Sequence, residues 1–144
     1  VARDEVLHLR QVLTLLRKRG GSLGRFQPNP YAGALRRRVR EGQGVAELVD
    51  RLLVSALIEA RSCERFERLV EATDPEDDLG RLYRGLGAAE RGHYRLFLGL
   101  ARDVPGGGDV EARWSDLLDA EAEILAAQPP GPRVHGGDPA PPPG

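Results

Sequence analysis

Leu79-Gly80-Arg81-Leu82-Tyr83-Arg84-Gly85-Leu86-Gly87-Ala88-Ala89-Glu90-Arg91-Gly92-His93-Tyr94-Arg95-Leu96-Phe97-Leu98-Gly99-Leu100 is the stretch that decides the fold. Leu79, Leu82, Leu86, Glu90, His93, Phe97 and Leu100 recur every three or four residues, the period of one helix face rather than of a strand. Glu90 and His93 stand where apolar residues are expected. Three residues turn a helix through roughly 300°, so both side chains leave the same face one turn apart.

Upstream, Asp74 can cap this helix and Pro75 suits its first position. Glu76, Asp77 and Asp78 favour the positive end of the helix dipole. Gly106-Gly107-Gly108 ends it. Before the turn at Thr73 the periodicity predicts a long helix from Val45 to about Ala72, with an inner stripe of Val45, Leu48, Leu52, Ala56, Glu59, Cys63, Phe66 and Val70. The first helix runs from Val1 to about Lys18, presents Val1, Glu5, His8, Val12 and Leu15 on one face, and stops at Gly20-Gly21. Residues 19–45 form a long connection, with a short helix expected around Tyr31–Arg40. A last helix begins after Asp109 and carries Val110, Trp114, Leu117, Leu118, Ile124 and Leu125, Trp114 being expected in the core. This divides the chain into a helical domain, 1–128, and a Pro/Gly-rich tail, 129–144, expected to be mostly disordered.

Bulk properties exclude more than they identify. A length of 144 residues fits one domain, and a net charge of -1 draws the chain globally to neither nucleic acid nor membrane. All basic residues but Lys18 are arginine. The one cysteine, Cys63, rules out an internal disulfide and fits a reducing, cytoplasmic setting. No apolar run nears the ~18 residues that span a bilayer. The opening Val1-Ala2-Arg3-Asp4 lacks a signal-peptide layout and an initiator Met, so an N-terminally truncated chain is expected.

The acids in the apolar stripes are what remain to explain. Two of the 3 histidines follow a glutamate by three residues, in Glu5-x-x-His8 and Glu90-x-x-His93. A di-iron carboxylate bundle uses this recipe, with Glu-x-x-His from two helices and single glutamates from the others. Glu59 lies 14 residues before Thr73 and Glu90 lies 15 after Pro75. At 1.5 Å per residue, an antiparallel hairpin brings the two carboxylates within about 2 Å of the same height. Buried without a counter-charge they would be costly, and a cation removes most of that cost. Taken singly, a Glu-x-x-His pair ordinarily faces solvent, and a glutamate within a stripe is often a rim residue, as Glu64 is expected to be. Cys63, one turn from Glu59, reads as a small buried packing residue.

The segment Leu52-Leu53-Val54-Ser55-Ala56-Leu57-Ile58-Glu59-Ala60-Arg61-Ser62-Cys63-Glu64-Arg65-Phe66 closely resembles the core of the tRNA 2-methylthio-N6-isopentenyladenosine hydroxylase family (MiaE). So do Ala89-Glu90-Arg91-Gly92-His93-Tyr94 and the opening Glu5 to Leu13; Tyr31 to Leu35 and Arg133-Val134-His135-Gly136 also fit that family's pattern. The resemblance implies an all-α, ferritin-like four-helix bundle lacking its first helix, plus an extra C-terminal helix. It implies an O2-dependent non-haem di-iron monooxygenase that hydroxylates the isopentenyl group of the modified adenosine in tRNA. Two iron ions would be held by Glu5, His8, Glu59, Glu90 and His93; the family's sixth ligand, a glutamate on an earlier helix, has no counterpart here. With one carboxylate fewer, iron is expected to bind more weakly. Leu86, Phe66 and Phe97 would wall the site for a prenyl group. An electron-donating reductase or ferredoxin would be a partner. Arg36, Arg37, Arg38 and Arg40 could grip tRNA phosphates, or simply form a solvated helix face. Two alternatives remain open: a ferroxidase or iron-binding protein on the same fold, and a non-catalytic helical fragment.

Overall fold

A computed structural model describes residues 1–25 and 29–128; the expected disorder of 129–144, with His135, lies outside them. Five helices make up the described residues, with no strand: α1 (Ala2–Lys18), α2 (Pro30–Arg36), α3 (Val45–Glu71), α4 (Asp78–Arg102) and α5 (Val110–Ala126). The architecture is all-α and ferritin-like. α3 and α4 pack along each other as an antiparallel hairpin, and α1 lies against α4. α2 and α5 pack on one another and on α3. No helix among the described residues is long and apolar enough to cross a membrane.

The core gathers at one end, where Tyr31, Leu35, Val49, Leu53, Leu57, Leu98, Ala101 and Leu117 are buried together. That corrects the expected stripe of α3. Val45 and Leu48 are 44% and 49% exposed, while Val49, Asp50, Leu53 and Val54 are buried. A single-stripe reading assumes one partner; the first half of α3 is covered from two sides, by α4 and by the α2–α5 pair. Leu100 likewise faces outward, and Leu98 and Ala101 take the inner positions of α4.

Two ionic networks hold α2, α3 and α5 in register. Asp50, wholly buried, accepts hydrogen bonds from the Arg40 backbone N–H (2.9 Å), from Arg40 Nε and Nη2 (3.0 and 2.7 Å), and from Arg113 Nε and Nη2 (2.9 Å each). Arg113 also donates to the Arg38 carbonyl. Across the domain, the buried Tyr31 hydroxyl donates to Glu121, which also accepts from Arg61 Nε and Nη2. The short helix expected around Tyr31–Arg40 is α2, which begins after the Asn29 cap at Pro30 and ends at Arg36. The residues after it turn to deliver Arg40 to Asp50.

α4 starts at Asp78 with Asp77 as its cap, three residues after the expected Asp74-Pro75 start. Asp74 spends its carboxylate on the Glu76 N–H and its carbonyl on the Asp77 N–H, which closes a separate turn. That turn folds back so closely that a Cβ on Gly80 would lie 2.3 Å from the Asp74 carbonyl oxygen. Gly80→Ala is therefore expected to destabilise the fold by about 1–3 kcal/mol, although alanine is otherwise the better helix former. Urea denaturation checks it; a variant as stable as the parent contradicts the close approach. Gly106 and Gly108 adopt φ of 72° and 75° between α4 and α5, and Asp109 then caps α5 as expected.

Candidate metal centre

The hairpin sets Glu59 on α3 opposite Glu90 on α4, and α1 brings Glu5 and His8 to the same place. All five sequence-predicted residues converge. They form two groups, Glu5–His8–Glu90 and Glu59–Glu90–His93, in each of which the donor atoms lie within 4.8 Å of one another. Glu90 belongs to both. Its Oε1 is 3.8 Å from His8 Nδ1 and its Oε2 is 3.6 Å from His93 Nδ1, so each imidazole faces a different oxygen of one carboxylate. Glu5 Oε1 lies 3.6 Å from His8 Nδ1 and 3.4 Å from His93 Nδ1. The two rings are 6.1 Å apart, centre to centre.

Chemistry of the donor set tests whether a metal fits. His8 Nδ1 and His93 Nδ1 are buried and make no hydrogen bond, an arrangement that buried polar atoms normally avoid. Burial raises the Glu59 carboxyl above its ordinary value of 4.5, and the hydrogen bond and charge it shares with Glu90, then the charge of Glu5, push the same way. Unpaired imidazole nitrogens aimed among mutually repelling carboxylates suit a divalent transition metal. The residues fit.

Sequence reasoning missed Asp4. Its Oδ2 sits 3.1 Å from Nε2 of His93, on the ring edge opposite Nδ1. The His93 hydrogen bond holds the Asp4 carboxyl below its ordinary range. The only signal was a carboxylate directly before Glu5-x-x-His8, and nothing in the spacing says that it serves the histidine of another helix.

The other predicted residues fall elsewhere. Cys63 is buried against the Gly87 carbonyl and the Glu67 carboxylate, in neither metal group. Leu86 is buried one turn before Glu90. Phe97 packs on the main core, and Phe66 meets the Tyr83 ring on the α3–α4 flank. Arg36, Arg37 and Arg38 are exposed on the element that packs on α3 and α5 rather than on α1. Arg40 does not share their position, because its guanidinium is committed to Asp50. A groove of about 740 Å³ runs between α1 and α4, with Leu7, Leu15 and Leu82 as apolar lining and Arg10, Lys18 and Arg81 among the charged lining.

Similarity to known proteins agrees with this geometry. A family model described as tRNA-(MS2IO6A)-hydroxylase (MiaE) matches residues 1–136. The tRNA 2-(methylsulfanyl)-N(6)-isopentenyladenosine(37) hydroxylase of Pseudomonas putida is 44% identical over 140 residues, covering 96% of this chain and 66% of that protein. The enzyme of the same name from Salmonella typhimurium is 32% identical over 138 residues, covering 96% of this chain and 50% of its own length. The chain thus spans between half and two thirds of these curated relatives. Among solved structures, a Synechococcus protein described as having aldehyde deformylating oxygenase activity superposes with a TM-score of 0.84 at 34% identity, over 95% of this chain and 69% of that one.

Proposed function

The chain belongs to the tRNA-(MS2IO6A)-hydroxylase (MiaE) family, and from that membership we propose that it is a non-haem di-iron monooxygenase acting on tRNA. Its substrate on this reading is the isopentenyl group of 2-methylthio-N6-isopentenyladenosine. The observation that carries it is the pair of three-ligand groups joined at Glu90. Glu5, His8, Glu59, Glu90 and His93 hold two iron ions, which supply reduction of O2 and insertion of one oxygen atom into an unactivated C–H bond. The other oxygen atom leaves as water, so each turnover needs two electrons and two protons from a reductase or ferredoxin.

The chain's own residues bind and orient. Asp4 fixes the His93 ring so that Nδ1 faces the centre. Glu59 and Glu90, on the two longest helices, set the depth of the site. The α1–α4 groove passes Leu7 and Gln11, on either side of His8, and its apolar lining beside basic groups suits a prenylated nucleotide. Arg36, Arg37 and Arg38 are the phosphate-binding candidates for tRNA. Such an enzyme works in the cytoplasm, where its substrate is.

After anaerobic reconstitution, about two irons per chain are expected. With O2, an electron donor and tRNA carrying the isopentenyl nucleoside, mass spectrometry of digested tRNA should show that nucleoside gaining one oxygen atom. Iron bound and oxidised with the nucleoside unchanged would favour a ferroxidase. No iron bound would remove the catalytic reading altogether.

A further inference from the structure

We propose that a groove on the α3–α4 flank is a base pocket, holding an unstacked base of the tRNA loop that carries the prenylated adenosine. The RNA strand then crosses α4 from this pocket to the α1–α4 groove. The inference rests on the tRNA reading above and adds a second contact to it.

The lining is the first reason. In this groove of about 430 Å³, Phe66 and Val70 of α3 stand across from Tyr83 and Gly87 of α4. The half-buried rings of Phe66 and Tyr83 lie 6.1 Å apart, centre to centre, tilted by 32°. Gly87 lets Phe66 come close, since an added Cβ would lie 3.2 Å from the Phe66 Cβ. Arg84 and Arg91 border the rings, and Glu71 on the α3 wall offers an acceptor for an exocyclic amino group. Loop bases of RNA are recognised in this way, unstacked and laid on aromatic rings and guanidinium planes.

Position is the second. The α1–α4 groove takes Arg81, Leu82 and Gly85 from α4, and the flank groove takes Tyr83, Gly87 and Arg91 from the same stretch. At roughly 100° per residue the two sets face about 140° apart, so one helix width separates the grooves. Arg91 directly follows Glu90, which puts one end of the flank groove at the level of the metal centre.

The ridge between the grooves is the third. From Leu79 to Arg102, α4 holds five arginines and one acid, the buried Glu90. Arg81, Arg91 and Arg102 pair with Asp78, Glu67 and Glu111. Arg84 instead donates to the Pro75 carbonyl (2.6 Å), and Arg95 has no ion pair or hydrogen bond among the described residues. Both are exposed on the ridge and suit phosphates. Gly92, where an added Cβ would meet nothing, keeps the ridge low, although alanine would hold a helix better.

Photo-crosslinking tests the pocket, using the reconstituted chain without O2 and a hairpin RNA of that loop with 5-iodouridine at single loop positions. One position should crosslink to Tyr83 or Phe66, identified by mass spectrometry after digestion. Tyr83→Leu, which removes the ring, should weaken RNA affinity by about 5–100-fold, and Tyr83→Phe should retain it. Arg84→Gln combined with Arg95→Gln should weaken binding and lower its salt slope by about 1–2. Arg51→Gln, which removes a charge from the far end of α3, should move both much less. Circular dichroism confirms that each variant keeps its helices. Wild-type affinity in Tyr83→Leu, or crosslinks confined to residues outside the groove, would overturn the pocket and leave the tRNA reading standing. Wild type with no measurable affinity for the RNA would remove that reading, and this inference with it.

Discussion

Glu90→Ala is expected to abolish both metal equivalents at once, lowering affinity by more than the roughly 10–100-fold that loss of an outer-shell partner costs. Among the described residues Glu90 alone stands in both ligand groups, and its two oxygens face different histidines. Glu59→Ala, by contrast, should impair the His93 side alone, whereas Glu5→Ala should weaken both sides without abolishing either, since Glu5 Oε1 lies 3.6 Å from His8 Nδ1 and 3.4 Å from His93 Nδ1. Metal content per chain after reconstitution and desalting is the measurement. A Glu90→Ala protein that still holds one equivalent would show that the two groups do not share this carboxylate.

The same residue separates a ligand from a structural acid by its effect on the metal-free protein. Burial first, and then Glu90, raise the Glu59 carboxyl above its ordinary value of 4.5. A folded chain that holds a proton more tightly than the unfolded one keeps that stabilisation below about pH 4.5 and loses it as pH rises. At pH 7, below the value of about 9 to which Glu59 is raised, the metal-free wild type must keep a proton on Glu59, hydrogen-bonded to Glu90, and holding it there costs stability. Glu90→Gln keeps the shape and removes one charge, so its metal-free melting temperature at pH 7 should equal or exceed that of wild type. Metal at 100 times its Kd should stabilise wild type by about 2.7 kcal/mol and leave the variant unmoved. A marked drop in the metal-free melting temperature of Glu90→Gln would mean that Glu90 serves packing instead.

The second large effect lies away from the centre. Asp50→Asn is expected to cost about 3 kcal/mol, the lower end of the range for breaking a buried ion pair. Asp50 is wholly buried and takes five hydrogen bonds from Arg40 and Arg113, and these join α3, the turn after α2, and α5. The lower end applies because Arg40 and Arg113 keep 38% and 20% exposure and can recover some hydration. Burial pushes the Asp50 carboxyl up, but the hydrogen bonds from Arg40 and Arg113 outweigh it and hold it at about 2, against an ordinary 3.8. A depressed value gives stability that is present above pH 3.8 and lost as pH falls towards 2. Wild type should show that acid step in urea denaturation, and Asp50→Asn should lack it. Metal content should survive the substitution, since no ligand touches the network. A loss below about 1 kcal/mol would place Asp50 among ordinary surface pairs.

Much of the centre was legible because helix geometry is local. Glu90-x-x-His93 and Glu5-x-x-His8 fix which side chains share a face, and equal distances from one turn fix the height of Glu59 against Glu90. None of that needs a third dimension. The start of α4 was harder, because Asp74 and Asp77 are both good caps. Only the fold-back of the turn over Gly80 selects the second.

Which side of α3 is covered, by contrast, depends on helices distant in the chain. Val45 and Leu48 keep the period of a buried stripe yet face solvent, because α2 and α5 arrive on the other side and bury Val49 and Asp50. Arg40 read as one of a basic cluster until Asp50 engaged it. Asp4 drew no reading from the sequence; only α1 lying against α4 sets it at the His93 ring. The sequence alone determined the helices and the inward-pointing donors, since backbone periodicity acts over three or four residues. Pairing across helices, including Glu90 between two histidines and Asp4 behind one of them, was decided only by tertiary packing, because contact between residues some 90 positions apart leaves no period to read.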